Sequence, residues 1–149
     1  MQTSAARRVA MDLLARREHS RLELQRKLSL RDFPLPLIVT VLDQLESDNL
    51  LSDERFIEAY VRMRSRRGFG PLRIHQELLE RGITQELAAN AISVAQIDWC
   101  QLLRAVHMKK HGIQADTHYA AQVKQRQFLS YRGFSHDQIN NVLGDKHEI

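Results

Sequence analysis

Apolar residues recur along this chain at the three- and four-residue spacing of amphipathic helices. Nowhere do apolar and polar residues alternate strictly for long enough to predict a β-strand. Three apolar stripes stand out: Val9, Ala10, Leu13 and Leu14; Phe56, Ile57, Tyr60, Val61 and Met63; and Trp99, Leu102, Leu103 and Val106. The pattern therefore predicts an all-α fold.

A repeat follows each stripe. Residues 26–34, 76–84 and 127–135 align at offsets of 50 and 51 residues. The aligned columns are Leu28, Leu78 and Leu129; Arg31, Arg81 and Arg132; Phe33, Ile83 and Phe134; Ile38, Ala88 and Ile139; and Leu42, Ile92 and Leu143. A period of this length is typical of tandem structural repeats, each of which is one small packed unit.

The columns predict a helix, a tight turn and a second helix in every copy. Gly82 and Gly133, with Asp32 in the first copy, stand where a helix end needs a residue that tolerates positive φ. Thr84 and Ser135 can then cap the next helix. Pro34 replaces that cap in the first copy, so its helix is expected to start between residues 35 and 37.

Two further helix starts are marked, by Ser20 with Glu23 and by Pro71 after Gly70. The third copy has a longer link, over residues 111–118. Together with the opening stripes, these signals predict nine short helices in three tandem three-helix repeats. Their expected bounds are residues 1–51, 52–97 and 98–149.

Composition favours a folded globular chain: 43% of its 149 residues are hydrophobic and 27% charged. No apolar run is long enough to span a bilayer, and residues 1–10 lack the apolar core of a signal peptide, so we expect a cytoplasmic protein with no membrane partner. Cys100 is the single cysteine, which excludes an intramolecular disulfide. Beside Trp99, it is expected in the core.

Catalytic and metal-binding patterns are absent from the sequence. His107 and His111 lie one helical turn apart but lack the glutamate of the zinc-peptidase motif. The turn at residues 68–71 lacks the Lys-Ser/Thr of a phosphate-binding loop. We therefore expect no enzyme, no cofactor, no metal and no small-molecule substrate. Phe69 in that turn is expected to pack at the helix junction, the alternative being an exposed partner anchor.

Charge is the remaining signal. The net charge is +4, which permits attraction to nucleic acid or to an acidic protein surface. Arginines crowd one stretch of twelve residues without an intervening acid, at Arg62, Arg64, Arg66, Arg67 and Arg73. A solvated helix C-terminus is the plain alternative, since cations favour the helix dipole there. Together with Lys109, Lys110, Lys124 and Arg126, these arginines form our predicted partner-binding or DNA-binding face.

Several motifs resemble the RecX regulatory proteins, over nearly the whole chain and most specifically in its middle repeat. They are Leu13-Leu14-Ala-Arg-Arg-Glu-His-Ser20-Arg-Leu-Glu23-Leu24, Asn49-Leu50-Leu51-Ser52-Asp53-Glu54-Arg55-Phe56, Tyr60-Val61-Arg62, Gly70-Pro71-Leu72-Arg73 and Arg132-Gly133-Phe134-Ser135. Asn49 stands where the family often has glycine, and asparagine tolerates the same left-handed geometry.

The resemblance implies an elongated three-repeat protein that binds the RecA recombinase filament on DNA. Such a protein would block growth of the filament and reduce its ATP hydrolysis, strand exchange and co-protease action, without catalytic residues of its own. Two other classes stay open. A direct DNA-binding module of helix-turn-helix type would bind DNA without any recombinase. A metal-dependent enzyme using His107 and His111 would hold stoichiometric metal.

Overall fold

A computed structural model describes residues 1–112 and 116–144. Over these residues the chain forms nine α-helices and no strand, which confirms the all-α prediction. The helices are α1 Gln2–Arg16, α2 Arg21–Leu30, α3 Leu35–Ser47, α4 Asp53–Arg66, α5 Pro71–Glu80, α6 Gln85–Val94, α7 Trp99–His111, α8 Tyr119–Tyr131 and α9 His136–Leu143. Part of the predicted link at 111–118, residues 113–115, lies outside the described residues, as do residues 145–149.

The chain divides into two compact units. The first comprises Met1–Tyr60 with Leu78–Ala88, and the second Val61–Glu77 with Ala89–Ile149. Within the described ranges, no helix is long and apolar enough to cross a membrane.

The repeat columns form the cores, as the periodicity predicted. Leu28, Leu78 and Leu129 are each fully buried, and Ile38, Ala88 and Ile139 are at most 3% exposed. Around Leu28 the first unit packs Ala6, Ala10, Leu24, Ile38, Val41, Leu42, Leu45 and Leu51. Around Leu129 the second unit packs Leu103, Phe134 and Ile139. Burial of these apolar side chains is the main contribution that stabilises the packing of the helices.

Two expectations about burial were wrong. Met63 belongs to the predicted stripe of α4 but is 36% exposed, because it lies at the edge of the arc that buries Phe56 and Tyr60. Cys100 was expected in the core and is only half-buried. It lies in the first turn of α7, and its neighbour Trp99 is also only half-buried.

The three predicted turns share one geometry. Asp32, Gly82 and Gly133 have φ values of 66°, 87° and 103°, and Asn49 reaches 60° at the end of α3. After each turn the N–H of an apolar residue donates a hydrogen bond to the carbonyl of the repeat leucine: Phe33 to Leu28 at 3.4 Å, Ile83 to Leu78 at 3.1 Å and Phe134 to Leu129 at 3.2 Å. This is the Schellman motif, which satisfies helix-end carbonyls and folds an apolar side chain back onto the last turn.

The predicted caps are present as well. Ser20 and Ser135 form capping boxes with Glu23 and Gln138. Thr84 accepts a hydrogen bond from the N–H of Leu87 at 3.2 Å. Helix α3 begins at Leu35 and α5 at Pro71, as expected from the prolines.

The turns at Gly82 and Gly133 also accept hydrogen bonds from residues at the start of an earlier helix. In the first unit the hydroxyl of Ser20 donates to the carbonyl of Arg81 at 2.7 Å. In the second unit the N–H of Gly70 donates to the carbonyl of Arg132 at 2.8 Å, and that of Leu72 to Gly133 at 2.9 Å. The pairs Arg81-Gly82 and Arg132-Gly133 therefore have two structural roles. Each ends a helix, and each binds the start of the second helix of the preceding repeat.

His19 is a buried polar group beside the Ser20 cap, 1% exposed. Its Nδ1 lies 3.0 Å from the carbonyl oxygen of Arg17, and its Nε2 lies 2.8 Å from Nζ of Lys27. A carbonyl only accepts, so Nδ1 carries the proton and Nε2 accepts from the Lys27 ammonium. Burial lowers the pKa of His19 below its ordinary 6.5, and the neighbouring Lys27 charge adds to that effect.

We predict that the free energy of unfolding falls as the pH drops below 6.5, because the unfolded His19 takes up a proton that the folded one resists. The loss attributable to His19 should approach about 1 kcal/mol per pH unit. Urea denaturation at pH 7 and pH 5.5 measures it. His19→Gln should flatten this dependence and His136→Gln, at an exposed histidine, should not; an equal pH dependence in the two variants would contradict the assignment.

Candidate functional site

An open groove of about 400 Å³ lies in the second unit, and its lining concentrates positive charge. Five cations line it: Arg66, Arg67, Lys109, Lys110 and Arg132. Its floor is apolar and consists of Leu102, Ala105, Val106 and Phe128. No carboxylate of residues 1–112 or 116–144 is among the lining residues. We call this feature the basic groove.

One wall is the end of α4. Gly68, at φ 87°, ends the helix in another Schellman motif, with the N–H of Phe69 bonded to the Arg64 carbonyl at 3.1 Å. A Cβ on Gly68 would lie 2.9 Å from Cγ2 of Val106, so the glycine lets the chain pass close to α7. Arg66 and Arg67 are exposed and, within the described residues, form no ion pair. Their charges also favour the negative end of the helix dipole.

The last turn of α7 is another part of the lining. Lys109 and Lys110 are exposed there, and neither is in an ion pair with any part of the chain that the structure describes. Nζ of Lys110 lies 5.5 Å from the ring centroid of Phe128. His111, half-buried, meets the same ring edge-on, at 5.6 Å between centroids and 87° between planes.

Arg132 completes the groove, and sequence reasoning did not select it. Its Nη1 donates to the carbonyl of Arg67 at 2.9 Å. Its Cζ lies 4.6 Å from the centroid of Phe69 and 5.4 Å from that of Phe128. This guanidinium therefore ties the end of α4 to α8 and keeps a positive charge fixed in the groove. The Arg31, Arg81 and Arg132 column was the available signal, since it marks the same position in every repeat.

Arg64 and Arg73, two of the predicted arginines, share one carboxylate partner, Glu77. Arg64 donates from Nε and Nη2 to the two carboxylate oxygens of Glu77, both at 2.8 Å, and Arg73 donates from Nε to Oε2 at 3.2 Å. Phe69 packs between them, with Cζ of Arg64 3.8 Å and Cζ of Arg73 4.6 Å from its centroid. Phe69 is half-buried, which agrees with the expected packing at the helix junction.

The other predicted cations lie outside the groove. Arg126 donates to Oδ1 of Asn140 at 2.7 Å and to the carbonyl of Gly144, where it closes the end of α9. Arg62 and Lys124 are exposed on α4 and α8 and do not line the groove. The structure thus brings together Arg66, Arg67, Lys109 and Lys110 of the nine predicted residues.

The histidine pair of α7 has other contacts. Nε2 of His107 lies 2.8 Å from Oε1 of Gln125, a buried side chain of α8. Over the described residues, no group of three or more His, Cys, Asp or Glu side chains is placed to hold a metal ion. His107 is therefore accounted for by packing between α7 and α8.

Fold and groove together define an all-α protein of tandem three-helix domains that carries a basic groove. Three family models match it: the first three-helix domain of RecX over residues 6–45, the second over 52–92 and the third over 96–143. The chain belongs to the RecX regulatory protein family, which is generally not enzymatic.

Curated relatives and solved structures agree with this assignment. Regulatory protein RecX of Pseudomonas fluorescens is 44% identical over 142 residues, which cover 95% of this chain and 92% of the relative. That of Pseudomonas entomophila is 42% identical over the same length. The crystal structure of RecX from Lactobacillus salivarius superposes with a TM-score of 0.79 at 24% identity, covering 95% of this chain and 94% of that one, and supports the fold.

Proposed function

We propose that this chain acts in the cytoplasm by binding the RecA nucleoprotein filament and inhibiting its extension. Reduced ATP hydrolysis, strand exchange and co-protease action would follow from the shortened filament. The observation that carries the proposal is the basic groove in a member of the RecX family: it is lined by five cations and by no carboxylate of the described residues. A recombinase filament on DNA is a large anionic object, so the charges are complementary.

Tandem domains suit a filament as partner. A filament presents identical subunits at regular intervals, and a tandem protein presents related domains. Several weak contacts can then act together, because the first contact raises the effective concentration for the next. The exposed cations of the groove can also contact single- or double-stranded DNA held in the filament, since Arg and Lys bind phosphate oxygens.

The test is ATP hydrolysis by a preformed RecA filament while this protein is added. We expect inhibition at ratios well below one copy per RecA protomer, because a bound copy that stops extension affects many protomers. The absence of inhibition up to equimolar amounts would overturn the proposal.

Direct DNA binding of helix-turn-helix type is the competing function, and the groove cations favour it too. Binding to a DNA duplex without RecA, weakening steeply with salt, would support that alternative. Filament inhibition by a chain that has no such affinity would exclude it as the main activity.

A further inference from the structure

The chemistry of the groove floor distinguishes between two kinds of anionic partner, nucleic acid and an acidic protein segment. Nucleic acid uses cations for phosphates and open aromatic faces for stacking bases. Among the described residues, Phe128 is the only aromatic one that lines the groove, and its ring already contacts Lys110, His111 and Arg132 of the same chain. Its stacking surface is therefore engaged by the chain itself.

The rest of the floor is aliphatic. Leu102, Ala105 and Val106 supply it from one face of α7. A phosphate gains nothing from such a surface, whereas a leucine-sized side chain gains free energy when it leaves water there. At about 400 Å³, the groove has room for a side chain of that size with adjoining backbone.

The cations that line the groove with this apolar floor come from the end of α4, the end of α7 and the end of α8. Arg132 is held in place by its bond to the Arg67 carbonyl, so it needs no reordering to meet an anion. The four exposed cations can form charge-assisted hydrogen bonds with carboxylates on both sides of a buried side chain.

We propose that the basic groove binds an acidic peptide segment of a partner protein, in which an aliphatic side chain sits on the floor and flanking carboxylates pair with the rim. The inference deepens the function proposed above and takes its biological meaning from it. Its physical content is independent of the filament, since a short peptide suffices to test it.

The probes are three labelled ligands measured by fluorescence anisotropy against the intact chain. The first is the peptide Asp-Glu-Asp-Leu-Asp-Glu-Asp, and the second has alanine in place of its leucine. The third is a single-stranded oligothymidylate of similar charge. We expect the leucine peptide to bind roughly tenfold tighter than the alanine peptide, because only leucine buries apolar area on the floor.

Two protein variants test whether the leucine peptide binds in the basic groove. The groove variant carries Arg66→Glu and Lys109→Glu, one change at the end of α4 and one at the end of α7. The control variant carries Arg8→Glu and Arg104→Glu, at exposed arginines outside the groove, and has the same net charge. The groove variant should lose at least about tenfold in affinity for the leucine peptide, and the control should stay within about twofold of the wild type. Circular dichroism and thermal melting verify that both fold.

Equal binding of the two peptides would overturn the inference, and so would equal losses in the two variants. Tighter binding of the oligothymidylate than of the leucine peptide, lost in the groove variant, would assign the groove to nucleic acid instead. A wild-type chain that inhibits the RecA filament but binds neither peptide would refute this inference alone. A chain that binds the leucine peptide and leaves the filament active would refute the proposed function alone.

Discussion

Gly133→Ala is expected to destabilise the protein by about 3 kcal/mol or more. Gly133 has φ 103°, a conformation that alanine adopts only with strain. A Cβ built there would also lie 2.3 Å from Cβ of Arg73 and 2.7 Å from its backbone nitrogen. Relief of that clash has to move the start of α5, and the hydrogen bond between the Leu72 N–H and the Gly133 carbonyl would weaken with it.

Gly112→Ala is the matched control. Gly112 has φ 83°, and a Cβ there would meet no atom of the described residues within 4 Å. Only the backbone strain remains, so the expected cost is about 1 kcal/mol. Urea denaturation of both variants gives the difference. Similar losses in the two would mean that the close approach between the turn and α5 does not contribute to stability.

Gly70→Ala probes the same contact from the other side. Its Cβ would lie 2.5 Å from the carbonyl carbon and oxygen of Gly133. If one contact is responsible for both losses, the double variant should lose less than the sum of the single variants, because the contact is broken only once.

The fold could be predicted from the sequence because its determinants are local and recur. Leu28, Leu78 and Leu129 occupy the same position in the second helix of each repeat. Each is followed five residues later by an apolar residue, Phe33, Ile83 or Phe134, and this spacing predicts a Schellman turn without knowledge of the rest of the chain. The caps at Ser20 and Ser135 are likewise four-residue patterns. The elongated arrangement and the exact domain bounds remain predictions.

Gly133 has a second structural role that the repeat pattern could not predict. Positive φ at a helix end accounts for a glycine, and Asp32 fulfils the same requirement in the first repeat with a side chain. The second reason for Gly133, the close approach of Arg73, joins residues that are distant in the chain. Spacing within a repeat carries no information about such a contact.

The candidate site was only partly predictable for the same reason. The cluster from Arg62 to Arg73 has no acid in sequence, yet Glu77 reaches Arg64 and Arg73 one turn of helix later. Lys109 joins Arg66 at the groove only because α7 packs beside the end of α4. The positive charge and the i,i+4 spacing of Arg73 and Glu77 could be seen in the sequence. The pairing of Arg64 with the same carboxylate, and the lack of an ion pair at Arg66 and Arg67 within the described residues, could not.

Whether a cation is engaged in an ion pair decides whether its substitution can test filament binding without damage to the fold. Reversal of Arg64 would leave Glu77 facing a second carboxylate at a position only 14% exposed, so it would damage the fold before it informed on binding. Arg66 and Lys109 are exposed and within the described residues have no ion pair, which makes them suitable for charge reversal.

We therefore expect the groove variant, with Arg66→Glu and Lys109→Glu, to need on the order of 100-fold more protein for half-inhibition of RecA filament ATP hydrolysis. Each reversal removes an attraction and adds a repulsion toward an anionic partner. The control variant, with Arg8→Glu and Arg104→Glu, changes the net charge equally and should stay within about threefold of the wild type. If both variants weaken inhibition to the same extent, overall charge and not the groove governs binding. If neither does, the filament contacts another surface of the chain.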